Sequence, residues 1–220
     1  MHFKSPKALP FILLLAAWLM SCADVPSTGP EPPELLAQFR FVHAAGDVDK
    51  IGVKVDDSNL GDVVFKGAIP HTEFPAGNRV TVLSTGDTLR FAMESYKRGT
   101  VVILPQTGPV REFLKLSERR IFDPANTGTA LLRIVHAANA PDLFVKIAGA
   151  SQTARLSGLA FKDDSGYLQL PAGNYTITVT AASDTTAVLA STTLDAMNKR
   201  QTSVILGSAG ALELVNLADD

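Results

Sequence analysis

Four blocks of this sequence occur twice, in the same order, and that duplication restricts the fold more than any other feature. Phe39-Arg40-Phe41-Val42-His43-Ala44-Ala45 matches Leu132-Arg133-Ile134-Val135-His136-Ala137-Ala138 at an offset of 93. Phe74-Pro75-Ala76-Gly77-Asn78 matches Leu170-Pro171-Ala172-Gly173-Asn174 at an offset of 96. Lys97-Arg98-Gly99-Thr100-Val101-Val102-Ile103-Leu104 answers to Lys199-Arg200-Gln201-Thr202-Ser203-Val204-Ile205-Leu206, and Glu112-Phe113-Leu114-Lys115-Leu116 to Glu213-Leu214-Val215-Asn216-Leu217. Blocks in constant order with drifting offsets indicate a duplicated domain with loop insertions.

Within each copy the period is two. Tyr175, Ile177 and Val179 alternate with Thr176, Thr178 and Thr180, which places apolar side chains on one face of a strand and hydroxyls on the other. Pro171-Ala172-Gly173-Asn174 supplies the preceding turn, Pro presetting one dihedral while Gly and Asn tolerate positive φ. Expected strands are 36–44, 50–56, 62–67, 71–75, 79–85, 88–95, 100–105 and 111–117 in the first copy. In the second they are 130–137, 142–148, 155–160, 166–170, 174–182, 187–194, 201–207 and 211–217. Short strands with turn signals every 8–12 residues predict an antiparallel β-sandwich of immunoglobulin-like type per copy, an all-β chain with two tandem domains. The domains are expected at 36–118 and 130–220, joined by a linker at 119–129 that allows interdomain motion unless Ile121 and Phe122 are buried between them. After the Pro-Ala-Gly-Asn turn the apolar phase differs: Val80 and Val82 stand where the second copy has Thr176 and Thr178. A one-residue slip turns a core face outward, so a shorter turn or a bulge is expected in the first copy.

The N-terminal segment has its own logic. Lys4 and Lys7 precede an apolar run, 11–20, too short to span a bilayer and suited to a secretory signal sequence. It ends in Leu19-Met20-Ser21-Cys22, which resembles the lipobox of bacterial lipoproteins. The resemblance implies a signal peptide at 1–21, cleavage before Cys22, and acylation of Cys22 on its thiol and its new amine. Two or more acyl chains anchor stably where one is reversible. A membrane partner through that anchor is the expectation. Segment 22–35 carries Pro26, Pro30, Pro32 and Pro33, which favour an extended tether of roughly 3 Å per residue. Ala23 stands where inner-membrane retention in enteric bacteria uses Asp, so the expected address is the outer membrane of the cell envelope, on either side.

The first Arg-Ile-Val-His-Ala-Ala block of the second copy, its Gly158-Leu159-Ala160-Phe161 segment, Ser165-Gly166-Tyr167 and Thr202-Ser203-Val204-Ile205-Leu206-Gly207 resemble the domain-of-unknown-function 4397 family. The first copy matches at its ends and its Pro-Ala-Gly-Asn turn and lacks the Gly-Leu-Ala-Phe and Ser-Gly-Tyr features. The resemblance implies a β-sandwich in secreted or lipid-anchored bacterial proteins, often in tandem, and no established activity.

Composition narrows function by exclusion. Net charge is −2, and removal of the first 21 residues takes away Lys4 and Lys7 and no acid, giving −4. Without a basic run, nucleic acid is a poor partner. Cys22 is the only cysteine, and no His-Glu-x-x-His occurs, so no zinc or other metal site is expected. Gly-x-Ser-x-Gly elbows and phosphate-cradling glycine loops are missing from the sequence, and no cofactor is implied. Asp47-Val48-Asp49 opens like a calcium loop, but Ile51 and Ser58 fall where oxygen-rich ligands belong, which leaves an acidic turn. His43 and His136 occupy equivalent strand ends and read as structural. The Lys97-Arg98 and Lys199-Arg200 pairs read as shields for strand edges or turns, and Asp163-Asp164 as a loop tip.

The function expected is that of a non-catalytic binding or structural module, with another envelope protein or a glycan as partner. Loops 56–62 and 107–111 are the candidate contact regions. The alternative is a carbohydrate-active accessory protein or enzyme, which requires Asp47, Asp49 and Glu73 to converge across a pocket.

Overall fold

A computed structural model describes residues 34–121, 129–196 and 199–219. The expected signal peptide, Cys22, most of the expected tether and Phe122 lie outside the described residues. Every regular element among them is a strand. In the first copy these are β1 (Leu36–His43), β2 (Lys50–Val55), β3 (Ser58–Val64), β4 (Ala68–Pro75), β5 (Gly77–Leu83), β6 (Thr88–Met93), β7 (Lys97–Ile103) and β8 (Phe113–Arg120). In the second they are β9 (Ala130–His136), β10 (Leu143–Gly149), β11 (Thr153–Leu159), β12 (Asp164–Leu170), β13 (Asn174–Ala181), β14 (Asp184–Asp195), β15 (Arg200–Ser208) and β16 (Ala211–Ala218). All sixteen expected strands are present.

The two copies share one topology. The first has an inner sheet ordered β4-β1-β7-β8 and an outer sheet ordered β3-β2-β5-β6, and the second repeats it as β12-β9-β15-β16 and β11-β10-β13-β14. Antiparallel pairing dominates, but β1 lies parallel to β7 and β9 parallel to β15. Each sandwich closes over its own core. Phe41, Ile51, Leu83, Leu89 and Met93 fill the first, and Leu132, Ile134, Ile147 and Ile177 the second.

A third core joins them. Val42, Ala44, Val102, Leu104 and Leu116 from the first inner sheet meet Val135, Ala137, Val204 and Leu206 from the second. All nine are at most 2% exposed, so the four central inner strands are buried on both faces. Fully burying a Val or Leu side chain is worth about 1.5–3 kcal/mol, which makes this seam a large part of what holds the body together. The copies are thus joined by a continuous core, and Ile121 at the start of the segment between them is only half-buried. Two salt bridges flank the seam crosswise, Lys66 to Glu213 at 2.7 Å and Lys162 to Glu112. Lys66 and Lys162 are equivalent residues, as are Glu112 and Glu213, so the copies are related by an approximate two-fold exchange.

The expected slip in the first copy does not occur. Val53 pairs with Leu83 and Val55 with Thr81, as Val145 pairs with Val179 and Ile147 with Ile177. Backbone register is thus preserved, and the polarity of the side chains has changed instead. Thr81 lies fully buried where the second copy has Ile177, and Val82 is 41% exposed. The bulge is in the second copy, where β13 shifts against β14 beside Thr180. The corner before the strand shows how the exchange is tolerated. Tyr175 donates its hydroxyl to the Pro171 carbonyl at 2.6 Å, and Arg79 donates its Nε to the equivalent Pro75 carbonyl at 2.8 Å.

A candidate functional site at the seam

Parallel pairing decides where loops gather. His43 lies opposite Ile103 and His136 opposite Ile205, so all four central strands finish at the same end of the body. The loops that follow them border a cleft of about 380 Å³ between the two copies. Gly46, Asp47 and Gln106 line it from the first, and Asn139, Ser208 and Glu213 from the second, with the Phe65 ring at one side.

Each wall is fixed by polar contacts. Arg111 is buried and grips Asp47 through two nitrogens at 3.1 and 2.7 Å, while reaching Asp87 at 3.2 Å and the Leu104 carbonyl at 2.9 Å. The bond from Arg111 holds the Asp47 carboxyl below its ordinary range, so it stands ionised in the cleft. Across from it, the Asn139 N–H donates to the Gly207 carbonyl at 3.0 Å. Gly207 has φ +104°, and a Cβ there would overlap the Ala211 carbonyl oxygen, so the hairpin on that wall requires glycine. Lys66 lies 5.4 Å from the centre of the Phe65 ring while it holds Glu213.

Beneath the cleft lie the two histidines, both fully buried. His43 accepts the Ala45 N–H on Nδ1 at 3.2 Å, and His136 donates Nε2–H to the Pro141 carbonyl at 3.2 Å. Each ring meets a phenylalanine edge-on, Phe65 at 5.8 Å and Phe161 at 6.1 Å. Burial pushes both pKa values down, which keeps both imidazoles neutral at neutral pH.

Deeper in the seam is a buried charge network. Arg40 reaches Glu118 at 3.2 Å, bonds the Asp219 carboxylate, and donates to Thr100 and to the Ala218 carbonyl at 2.6 Å each. Asp219 also accepts from Tyr167 at 2.8 Å and Thr202 at 2.7 Å, and His71 approaches Glu118 at 3.1 Å. Burial raises Asp219, and Tyr167 is raised by burial and then by Asp219 beside it. Glu118 is held low despite its burial, because His71, Arg40 and Thr100 all favour its ionised form. The equivalent of Arg40 in the second copy, Arg133, has weaker partners: the Ser117 carbonyl at 2.6 Å and Asp164 at 3.6 Å, with Tyr167 stacked at 4.1 Å.

The structure treats the sequence candidates unevenly. Loop 107–111 follows cleft-lining Gln106 and ends in the buried Arg111, whereas 56–62 lies at the β2–β3 hairpin of the outer sheet. Asp47 and Asp49 sit beyond one end of β1, and Glu73 pairs with Gln38 near its other end, so those three carboxylates do not converge. Arg98 and Arg200 do not shield edges: β7 and β15 are central strands, Arg98 bonds Gln38 and the Asp219 carbonyl, and Arg200 stacks on Tyr167 at 5.6 Å. Asp164 begins β12 instead of forming a loop tip. Among the described residues no group of three or more His, Cys, Asp or Glu side chains could hold a metal ion, and no helix is long and apolar enough to cross a membrane. Arg40, Glu118 and Asp219 escaped the sequence reading, although an arginine at the same place in two apolar strands was a signal.

Comparison with known proteins places the second copy. Residues 142–220 match the model of a family described as Domain of unknown function (DUF4397). No curated protein matches the chain. Among solved structures, the Bacillus anthracis TIE protein is similar at 9% identity and a TM-score of 0.24, covering 81% of this chain and 34% of its own. A leucine-rich repeat protein from Bacteroides thetaiotaomicron is similar at 12% identity and a TM-score of 0.21, covering 81% of this chain and 27% of its own. The chain thus spans about a third or less of the length of those two proteins. A Bacteroides uniformis protein ascribed to cell adhesion is similar at 12% identity and a TM-score of 0.26, covering 84% of this chain and 98% of its own.

Proposed function

We propose that the chain is a lipid-anchored bacterial cell-envelope protein whose fused sandwiches act as a non-catalytic binding module, with the seam cleft as its contact end. The observation that supports this reading is the direction of β1. The strand begins at Leu36 and ends at His43, so the chain comes into the body at the end opposite the cleft. A tether from Cys22 joins the body through β1, whose first residue is at the end of the strand away from the cleft. Cleavage and acylation at Cys22 follow from the Lys4/Lys7 leader and Leu19-Met20-Ser21-Cys22, and Ala23 favours the outer membrane. At about 380 Å³ the cleft lies at the small end of ligand sites, suited to one side chain of an envelope protein or a single sugar unit.

Intact mass and membrane fractionation of the protein expressed in a bacterial host test this reading, with wild type beside Cys22→Ala. The expected wild-type species starts at Cys22, carries added acyl mass and sediments with membranes, and the acyl mass is absent from the variant. A soluble wild-type chain without acyl mass would overturn the anchor.

A further inference from the structure

The outer sheet of the second copy carries a charge arrangement that its counterpart avoids. Lys146 on β10 stands directly opposite Arg155 on β11. Like charges in that position destabilise a sheet. Both residues are exposed, and among the described residues neither has an ion-pair partner. Asp184 and Asp195 are confined to the two ends of β14, and Asp184 is engaged by Thr186. In the first copy the equivalent Lys54 faces Asn59, not an arginine, and Asp57 lies 3.8 Å from it; Lys50 nearby holds Asp62 at 2.8 Å. The first copy neutralises its outer lysines, and the second opposes two cations in a chain whose net charge is −2.

What surrounds the two cations is equally specific. The same row continues from Lys146 to Thr178 and on to Ser191, giving two cations and two hydroxyls across four strands. With strands about 4.8 Å apart, the row is roughly 14 Å long, near the length of three sugar rings. Val82 and Thr88 occupy the corresponding places of Thr178 and Ser191 in the first copy, so one hydroxyl is lost there. On the adjoining row Phe144 pairs with Thr180, whose hydroxyl is buried without a hydrogen-bond partner.

From this geometry we propose that the outer sheet of the second copy binds an acidic polysaccharide, one bearing uronate carboxylates. A carboxylate placed over the row accepts from both Arg155 and Lys146, in charge-assisted bonds that also remove their repulsion. Thr178 and Ser191 exchange hydrogen bonds with ring hydroxyls, and the half-buried Phe144 offers an apolar surface to a sugar C–H face. This site is separate from the seam cleft and does not depend on the anchor.

The test is retention of the purified mature chain, in a non-ionic detergent, on immobilised polygalacturonate. Wild type is expected to be retained and to elute with salt, because the contacts are exposed and screened. Retention is expected to fall at least about tenfold in the Lys146→Gln/Arg155→Gln variant, and to persist in Lys54→Gln. A second measurement guards against a folding artefact: without ligand, Lys146→Gln alone is expected to raise Tm by about 1–3 °C by removing the like-charge pair. No wild-type retention, equal retention on neutral dextran, retention unchanged in the double variant, or a lower Tm in Lys146→Gln would each overturn the proposal. Acylation has no part in any of these readouts, so they stand or fall apart from the reading of Cys22.

Discussion

Thr81 and Ile177 occupy the same place in two copies of one fold, and the contrast shows which property of a strand is fixed. Both lie on the second inner-facing position after a Pro-Ala-Gly-Asn corner, with identical pairing to the neighbouring strand. One is a buried apolar side chain; the other is a fully buried hydroxyl with no partner. Pairing was kept and the side-chain chemistry was allowed to drift. The first copy tolerates it because Leu83, Leu89 and Met93 still close the core around Thr81, and Arg79 ties the corner as Tyr175 does.

The seam offers the largest test of how unequal the copies are. Arg40→Ala leaves Glu118 and Asp219 buried without their shared cation, and is expected to cost about 3–5 kcal/mol by chemical denaturation. Arg133→Ala removes one carbonyl contact, a longer carboxylate contact and the stack on Tyr167, and is expected to cost no more than about half as much. Equal losses would show that the two arginines are interchangeable despite their partners.

The strand comparison comes next in size. Ile177→Thr is expected to destabilise by about 2 kcal/mol, since it loses buried carbon and gains an orphan hydroxyl. Thr81→Val, which removes that hydroxyl at nearly constant volume, is expected to stabilise by about 1 kcal/mol in the same assay. A loss in Thr81→Val would mean that the Thr81 hydroxyl has a partner after all.

The histidines give a graded effect. Burial lowers both pKa values in the folded chain. Below the unfolded value, near 6.5, the unfolded state therefore binds more protons than the native state. Stability is full above that pH and declines on acidification through it, by up to about 1.4 kcal/mol per pH unit for each histidine. Glu118, held low, begins to lose its contribution only as pH falls through its ordinary value of 4.5, whereas Asp219, raised by burial, favours the native state on acidification, so the rings are read from the difference between wild type and each histidine variant. His43→Gln and His136→Gln are each expected to reduce the slope of stability against pH between about pH 6.5 and 5. A slope unchanged in both variants would refute the assignment.

The sequence made much of this legible. Alternation and turn residues located all sixteen strands, because the core face of a half-buried strand writes itself as a period of two. It also misled at Val80-Thr81-Val82, where alternation was intact but pointed the wrong way: register is set by the whole sheet, and one strand's own pattern can be outvoted. The seam was harder to see. Val42, Ala44, Val102 and Leu104 made the central strands apolar on both faces, the mark of a strand covered on two sides. A single-copy reading assigns one of those faces to solvent. The network around Arg40 joins residues up to 179 positions apart, a distance at which no local pattern carries information.

The direction of β1 also decides how the body meets mechanical load. Leu36 opens a strand bonded on one side to β4 and on the other to β7, in the middle of its sheet. A pull on the chain ahead of it, along the strand, strains those two ladders in shear, so many hydrogen bonds resist together. Pulled sideways, the same bonds would open one at a time, like a zip. A body held from its N-terminal side and tugged at the cleft is therefore loaded in its stronger direction.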